Sequence, residues 1–180
     1  RVTAVDTGFG QIAMKLRNDP RVQLFERTNA RLLEPGSLAA GEGTPELTFL
    51  AMDVSFISAT LLLPPVFGAA PSLNEAVILV KPQFEAGREH VGKGGIVRDA
   101  AAHELAVRKV ADGFDQGLGF GAHGASYTGP DLLSQVYYYP NLISRPNFSP
   151  ITSHAVRRIF SFSRLAILHP TNQPGPTSLT

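Results

Sequence analysis

The sequence predicts an α/β domain built on an open, doubly wound sheet. Three observations carry this. Short β-rich runs alternate with segments of helical spacing through the first two thirds of the chain. Residues 76–80 (AVILV) are purely aliphatic, as a strand buried on both faces of a parallel sheet should be. Several runs end on a polar or charged residue, namely Asp6, Asp53 and Lys81. Doubly wound sheets gather their ligands outside the carboxyl ends of their strands, so three such residues together point to a site.

Taken in order, Val2–Val5 is a short strand closed by Asp6, with the turn formers Thr7 and Gly8 behind it. Residues 11–17 have helical spacing, with Ile12 and Leu16 on one face, and Asn18-Asp19-Pro20 stops them. Val22–Phe25 is the next strand, and residues 26–31 form a polar loop. Residues 34–46, EPGSLAAGEGTPE, are rich in Gly and Pro and read as an exposed connection. Residues 47–52 form an apolar run ending at Asp53, and a helical segment over 58–63 stops at Pro64-Pro65. The strand at 76–80 ends at Lys81-Pro82. Beyond the loop GREHVGKGG, Asp99 is a good cap for a helix over about 100–112. Residues 120–128 and Gln135–Tyr139 close the sheet as a pair of strands.

Residues 1–139 therefore form one domain. Residues 140–180 are rich in Pro, Ser and Asn, lack strand alternation, and read as a loosely ordered tail. Within it Ile151, Ala155, Ile159 and Phe162 lie near helical spacing beside Arg157, Arg158 and Arg164. That spacing suits one short packed helix, or a basic amphipathic one that touches RNA or anionic lipid.

A chain of 180 residues can bury a substantial core, and a net charge of +1 promises no strong general field. The absence of cysteine excludes disulfides and thiolate zinc sites, and the five His make no H-x-x-x-H pair, so no metal site is expected. No apolar run approaches the ~20 residues of a membrane helix. The first residues carry no secretory pattern, so the cytoplasm is the expected compartment and no stable membrane association is expected. The chain does not begin with Met and is expected to be a fragment with its upstream part missing.

Three stretches carry the chemistry: AVDTGFGQIAMKLRNDPRV, AMDVSFIS and LVKPQFEAGREHVGKGGIVRD. In this order and spacing they resemble the TlyA (hemolysin A) family of FtsJ-like RNA 2′-O-methyltransferases, over roughly residues 1–130. The resemblance implies S-adenosylmethionine lying across the carboxyl edge of a Rossmann-like class I methyltransferase sheet. It also implies RNA as substrate, ribosomal RNA in particular, with methyl transfer to a ribose 2′-hydroxyl. That hydroxyl is a weak nucleophile at neutral pH, so a positioned base has to take its proton.

The family's Lys-Asp-Lys-Glu set maps in part onto this chain. Asp53 matches its Asp and Lys81 its second Lys. An amine acts as a base only when neutral, and a nearby carboxylate favours the charged form, so Asp53 is assigned an orienting role. Without the resemblance, a plain ion pair at two strand ends is the better reading. The first Lys of the set belongs before Arg1. The closing Glu falls at Gln135, counting on from Gly129-Pro130, and the family pattern decays from about Tyr127. A truncated gene, or a tail read in another frame, is expected.

The cofactor contacts that the resemblance implies are Asp6 for the ribose hydroxyls, Thr28 and Asn29 near adenine, and Asp53 and Val54 near the methionine end. Arg88, Lys93 and Arg98 stand among glycines in the loop after Lys81 and are the expected RNA contacts, since glycine amides and cations both suit phosphate. A solvated surface loop is equally consistent with that composition.

AVDTGFGQ itself resembles a cofactor glycine loop, with Ala13 at the last place of G-x-G-x-x-G. The downstream register decides otherwise. Val2–Val5 takes the second-strand position, so the first strand and the glycine loop are expected to be missing and the sheet incomplete. Besides the methyltransferase domain, three readings stay open: a non-catalytic remnant or RNA-binding fragment, a membrane-active hemolysin, and an NAD-type oxidoreductase.

Overall fold

Among the described residues, seven strands form one mixed sheet in the order β2-β1-β7-β3-β4-β6-β5. The computed structural model describes residues 1–118 together with three later strands, β5 (Ser126–Tyr127), β6 (Gln135–Tyr139) and β7 (Leu165–Leu168). β1 (Val2–Val5) runs parallel to β2 (Val22–Phe25), and β3 (Phe49–Met52) runs parallel to β4 (Glu75–Val80). β6 pairs antiparallel with β4, and β5 with β6, so the closing hairpin stands where the sequence places it.

The aliphatic run behaves as expected. Ala76, Val77, Ile78 and Val80 of β4 are buried, as are Leu50, Ala51 and Met52 of β3. One face is covered by α2 (Leu63–Ala69) and α4 (Ala100–Leu118), whose Ala102, Ala106, Val110 and Phe114 recur every fourth residue and are buried. Phe67 and Phe114 meet edge to face at 5.4 Å and join the two helices. Asp99 caps α4 as expected, its Oδ1 accepting from the Ala101 amide at 3.0 Å.

One expectation is corrected. Pro64 and Pro65 open α2 instead of ending a helix, because the first helical positions need no amide donor. The segment before them is a short 3-10 turn, Ala59–Leu61.

One further strand, not expected from the sequence, comes from beyond residue 139. The slot between β1 and β3 is filled by β7, antiparallel to both, with Ala4, Ala166 and Ala51 in one register row. Without a strand there, two central strands would each present a row of unpaired backbone groups. LAIL is too short an apolar run to be told from loop by its pattern, yet it supplies the missing ladder. The remaining tail residues lie outside the described residues, including those of the spaced apolar and arginine set.

Candidate active site

The loops after β1 and β2 are tied to each other by backbone. The Asp6 amide donates to Phe25 O at 2.9 Å, the Thr28 amide to Asp6 O at 3.0 Å, and the Arg27 amide to Gly8 O at 3.0 Å. Asp6 Oδ1 accepts from the Gly8 amide at 2.7 Å, so Thr7 and Gly8 form a tight turn on that carboxylate. A Cβ on Gly8 would lie 3.1 Å from Asp6 Oδ1, so a side chain there would crowd the turn. Asn29 caps a short 3-10 turn, its Oδ1 accepting from the Arg31 amide at 3.1 Å.

These loops face the segment after β3 across a cavity of about 280 Å³. Asp6, Thr28, Asn29 and Val54 all line it, with Ile57 and Leu62 among its apolar wall. Four residues drawn from three separate stretches of sequence thus share one hollow at the carboxyl edge of the sheet. A carboxylate, small polar groups and an aliphatic wall fit the nucleoside part of S-adenosylmethionine, whose ribose offers two donors and whose base is apolar-faced.

Asp53 directly follows β3 and is only 4% exposed. Lys81 directly follows β4, and the parallel register of the two strands brings their ends together. Lys81 Nζ stands 2.6 Å from Asp53 Oδ1, an ion pair without aligned hydrogen-bond geometry, and it donates to Ser55 Oγ at 2.7 Å. Ser55 itself lines the cavity, so the ammonium is linked to the cavity wall.

Several residues of this site were not singled out in the sequence. Glu85, only 5% exposed, accepts from Ser58 Oγ at 2.5 Å and from the Ala59 amide at 2.6 Å. Lys109 Nζ lies 3.7 Å from Glu85 Oε2 and donates to Glu85 O at 3.1 Å. Burial pushes the Glu85 carboxyl up from its ordinary range, while the Ser58 and Ala59 donors and Lys109 pull it down. The carboxylate therefore fastens the segment after Asp53 to α3 (Pro82–Glu85), directly behind Lys81. Separations of 26 and 27 residues leave no local pattern by which the sequence could show this. Phe56, on the cavity rim, holds a left-handed backbone at φ 64°, is 92% exposed, and sets its ring against Phe84 at 5.5 Å.

Arg88, Lys93 and Arg98 are exposed and line no part of the cavity. Their loop is shaped by Gly94 and Gly95, which take positive φ of 81° and 76°. The Gly92 amide donates to Ile96 O and the Gly95 amide to Gly92 O, so these two glycine amides hold the loop itself. Gln135 begins β6 opposite Val80, the residue before Lys81, which puts the expected Glu position beside the ion pair in register. Among the described residues no group of His, Asp and Glu could hold a metal ion, and no helix is long and apolar enough to cross a membrane.

Acidic residues closing β1 and β3, a lysine closing β4 and a nucleoside-sized hollow lined by the first of these acids define an α/β domain of the methyltransferase type. A model of the FtsJ-like methyltransferase family matches residues 1–128, and the chain belongs to that family. It is 44% identical over 125 residues to YqxC of Bacillus subtilis (strain 168), covering 69% of this chain and 43% of that protein. It is 44% identical over 110 residues to the 16S/23S rRNA (cytidine-2′-O)-methyltransferase TlyA of Mycobacterium tuberculosis, covering 61% of this chain and 39% of that enzyme. A solved structure from Streptococcus thermophilus, described as a hemolysin, superposes with a TM-score of 0.63 at 34% identity, covering 87% of this chain and 56% of that one. The chain thus spans about two fifths of the length of the first two relatives.

Proposed function

We propose that this chain is the catalytic part of an S-adenosylmethionine-dependent RNA ribose 2′-O-methyltransferase acting on ribosomal RNA. The observation that supports it most is the Asp53–Lys81 ion pair, joined through Ser55 to the cavity that Asp6, Thr28, Asn29 and Val54 line. S-adenosylmethionine, when bound, supplies a methyl group on a sulfonium.

The chain's own residues hold the cofactor and manage a proton. Asp6 takes the ribose hydroxyls of the cofactor, and Thr28 and Asn29 stand beside its base. The target 2′-hydroxyl oxygen gains the methyl and gives up its proton. Lys81, acting as the neutral amine, takes that proton and becomes the ammonium that Asp53 pairs. Asp53 fixes the amine, and Ser55 gives its nitrogen a second partner. Arg88, Lys93 and Arg98 attract the RNA backbone on the adjoining loop.

A second reading, a non-catalytic RNA-binding fragment of the family, draws on Gln135, which is uncharged where the resemblance expects a Glu. One assay separates them. Labelled methyl transfer to ribosomal RNA is measured alongside calorimetric binding of S-adenosylmethionine, in the parent and in Lys81→Met. Transfer by the parent that vanishes in the variant, with cofactor binding kept, supports catalysis. Cofactor binding without any transfer by the parent supports the second reading, and absence of cofactor binding sinks the first.

A further inference from the structure

We propose that the β1–β2 edge of the domain is a second RNA contact, where an unpaired nucleotide stacks on Phe9 while Lys15, Arg27 and Arg31 take the flanking phosphates. This rests on the reading of the chain as an RNA methyltransferase and places part of the substrate strand outside the cavity.

The charge of the chain is segregated. Residues 1–33 hold six Lys and Arg against three Asp and Glu, whereas the rest holds ten against twelve. The three carboxylates of that first segment are all engaged locally. Asp6 accepts from the Gly8 amide, Asp19 pairs with Arg21, and Glu26 pairs with Arg17 at 2.6 Å while accepting from the Gly10 amide at 2.7 Å. Among the described residues no ion pair engages Lys15, Arg27 or Arg31. An overall charge of +1 hides this local field.

Beside two cations of this segment, Arg17 and Arg27, an aromatic ring faces solvent. Phe9 is 60% exposed, with the Arg27 guanidinium over its ring at 4.4 Å and that of Arg17 at 5.7 Å. Arg27 reaches it from a left-handed backbone, φ 51°, an uncommon state for a residue other than glycine. The fold holds that conformation through the Arg27 amide on Gly8 O. Backbone held in a sparsely populated region at a cost is a pointer to function.

Neither packing nor secondary structure requires the arrangement. α1 (Met14–Arg17) has no buried residue, and β2 is the edge strand of the sheet. Phe9 and Arg27 belong to the same two loops whose Thr7 and Thr28 line the cavity, so the ring stands exposed beside the cofactor hollow. An aromatic platform beside cations is how single-stranded nucleic acid is held without sequence preference. An anionic membrane would call for a longer amphipathic face than four residues provide.

The test uses the whole chain and a fluorescein-labelled single-stranded oligoribonucleotide of mixed sequence, read by polarisation over a series of salt concentrations. Phe9→Ala is expected to raise Kd about tenfold, the usual order for losing one stacked base. Arg27→Asn keeps the left-handed backbone accessible, and with Lys15→Ala it is expected to flatten the salt slope by about one ion per removed phosphate contact. Calorimetric binding of S-adenosylmethionine serves as the check on folding and is expected to stay at the parent value. Phe9→Ala and Arg27→Asn that bind RNA like the parent overturn this contact while leaving the methyltransferase reading intact. A parent that retains the cofactor but binds no RNA overturns both, and binding of anionic lipid vesicles in place of RNA does the same.

Discussion

Lys81 Nζ and Asp53 Oδ1 lie 2.6 Å apart at the ends of adjacent parallel strands, and both side chains are largely withdrawn from solvent. A buried pair is costly to break, because the surviving charge keeps its desolvation penalty without its partner. Asp53→Leu and Lys81→Met are therefore each expected to lower stability by about 2–4 kcal/mol. The double variant Asp53→Leu/Lys81→Met is expected to cost clearly less than the sum, with a coupling of about 1–3 kcal/mol. Urea unfolding of the four proteins checks this. Additive losses would show that the pair is not an energetic unit.

Glu85 gives a prediction with a definite pH sign. Its folded carboxyl is raised above the ordinary 4.5, chiefly by burial. A raised pKa means that the folded state holds the proton more tightly than the unfolded chain. Its contribution to stability is thus fully present below the ordinary value and is lost as pH rises through the folded one. Glu85→Gln removes this titration. Relative to the parent, the variant is expected to gain stability steadily as pH climbs from about 4 through the raised value, read as the difference in urea midpoint. Glu85→Ala, which leaves the Ser58 hydroxyl and Ala59 amide unpartnered, is expected to be destabilised by about 2–3 kcal/mol at about pH 4, a deficit that narrows as pH rises, following the trend of Glu85→Gln.

Gln135 tests the chemistry from the other side. It stands in register opposite Val80, one residue before Lys81, and lacks the charge that the resemblance expects. Gln135→Glu restores the carboxylate that the resemblance expects and is expected to raise methyl transfer about tenfold or more, within the usual range for one acid–base or orienting group. Cofactor binding is expected to be unaffected. Unchanged transfer would remove Gln135 from the site.

The sequence made the near-range features legible and left the distant ones dark. Asp6, Asp53 and Lys81 could be placed because each closes a run whose strand character shows in a few residues. Thr28, Asn29 and Val54 came from the family resemblance, and they line the cavity beside Asp6. Glu85 was invisible for a physical reason: its partners Ser58, Ala59 and Lys109 come from other elements, and nothing in QFE marks it as a buried anchor. The proline pair was misread because a helix-stopping residue and a helix-starting residue are the same residue, told apart only by which side the chain winds on. Leu165–Leu168 was missed because its strand character comes from the vacant ladder between β1 and β3, not from its own four residues.

That strand supplies the last prediction. β7 bridges β1 and β3 and lies in the middle of the sheet, so its amides belong to a central ladder. Proline there removes a donor and has no edge on which to be tolerated. Ile167→Pro is expected to cost about 3 kcal/mol or more, and to raise amide exchange at Ala4, Leu50 and Ala51 on the two neighbouring strands. Ile167→Val, which keeps the donor and the β-branched shape, is expected to cost about 1 kcal/mol or less. If Ile167→Pro matches the parent in both stability and exchange, the slot between β1 and β3 is not closed by β7 in solution. Protection at Ala4, Leu50 and Ala51 would then have to come from another segment.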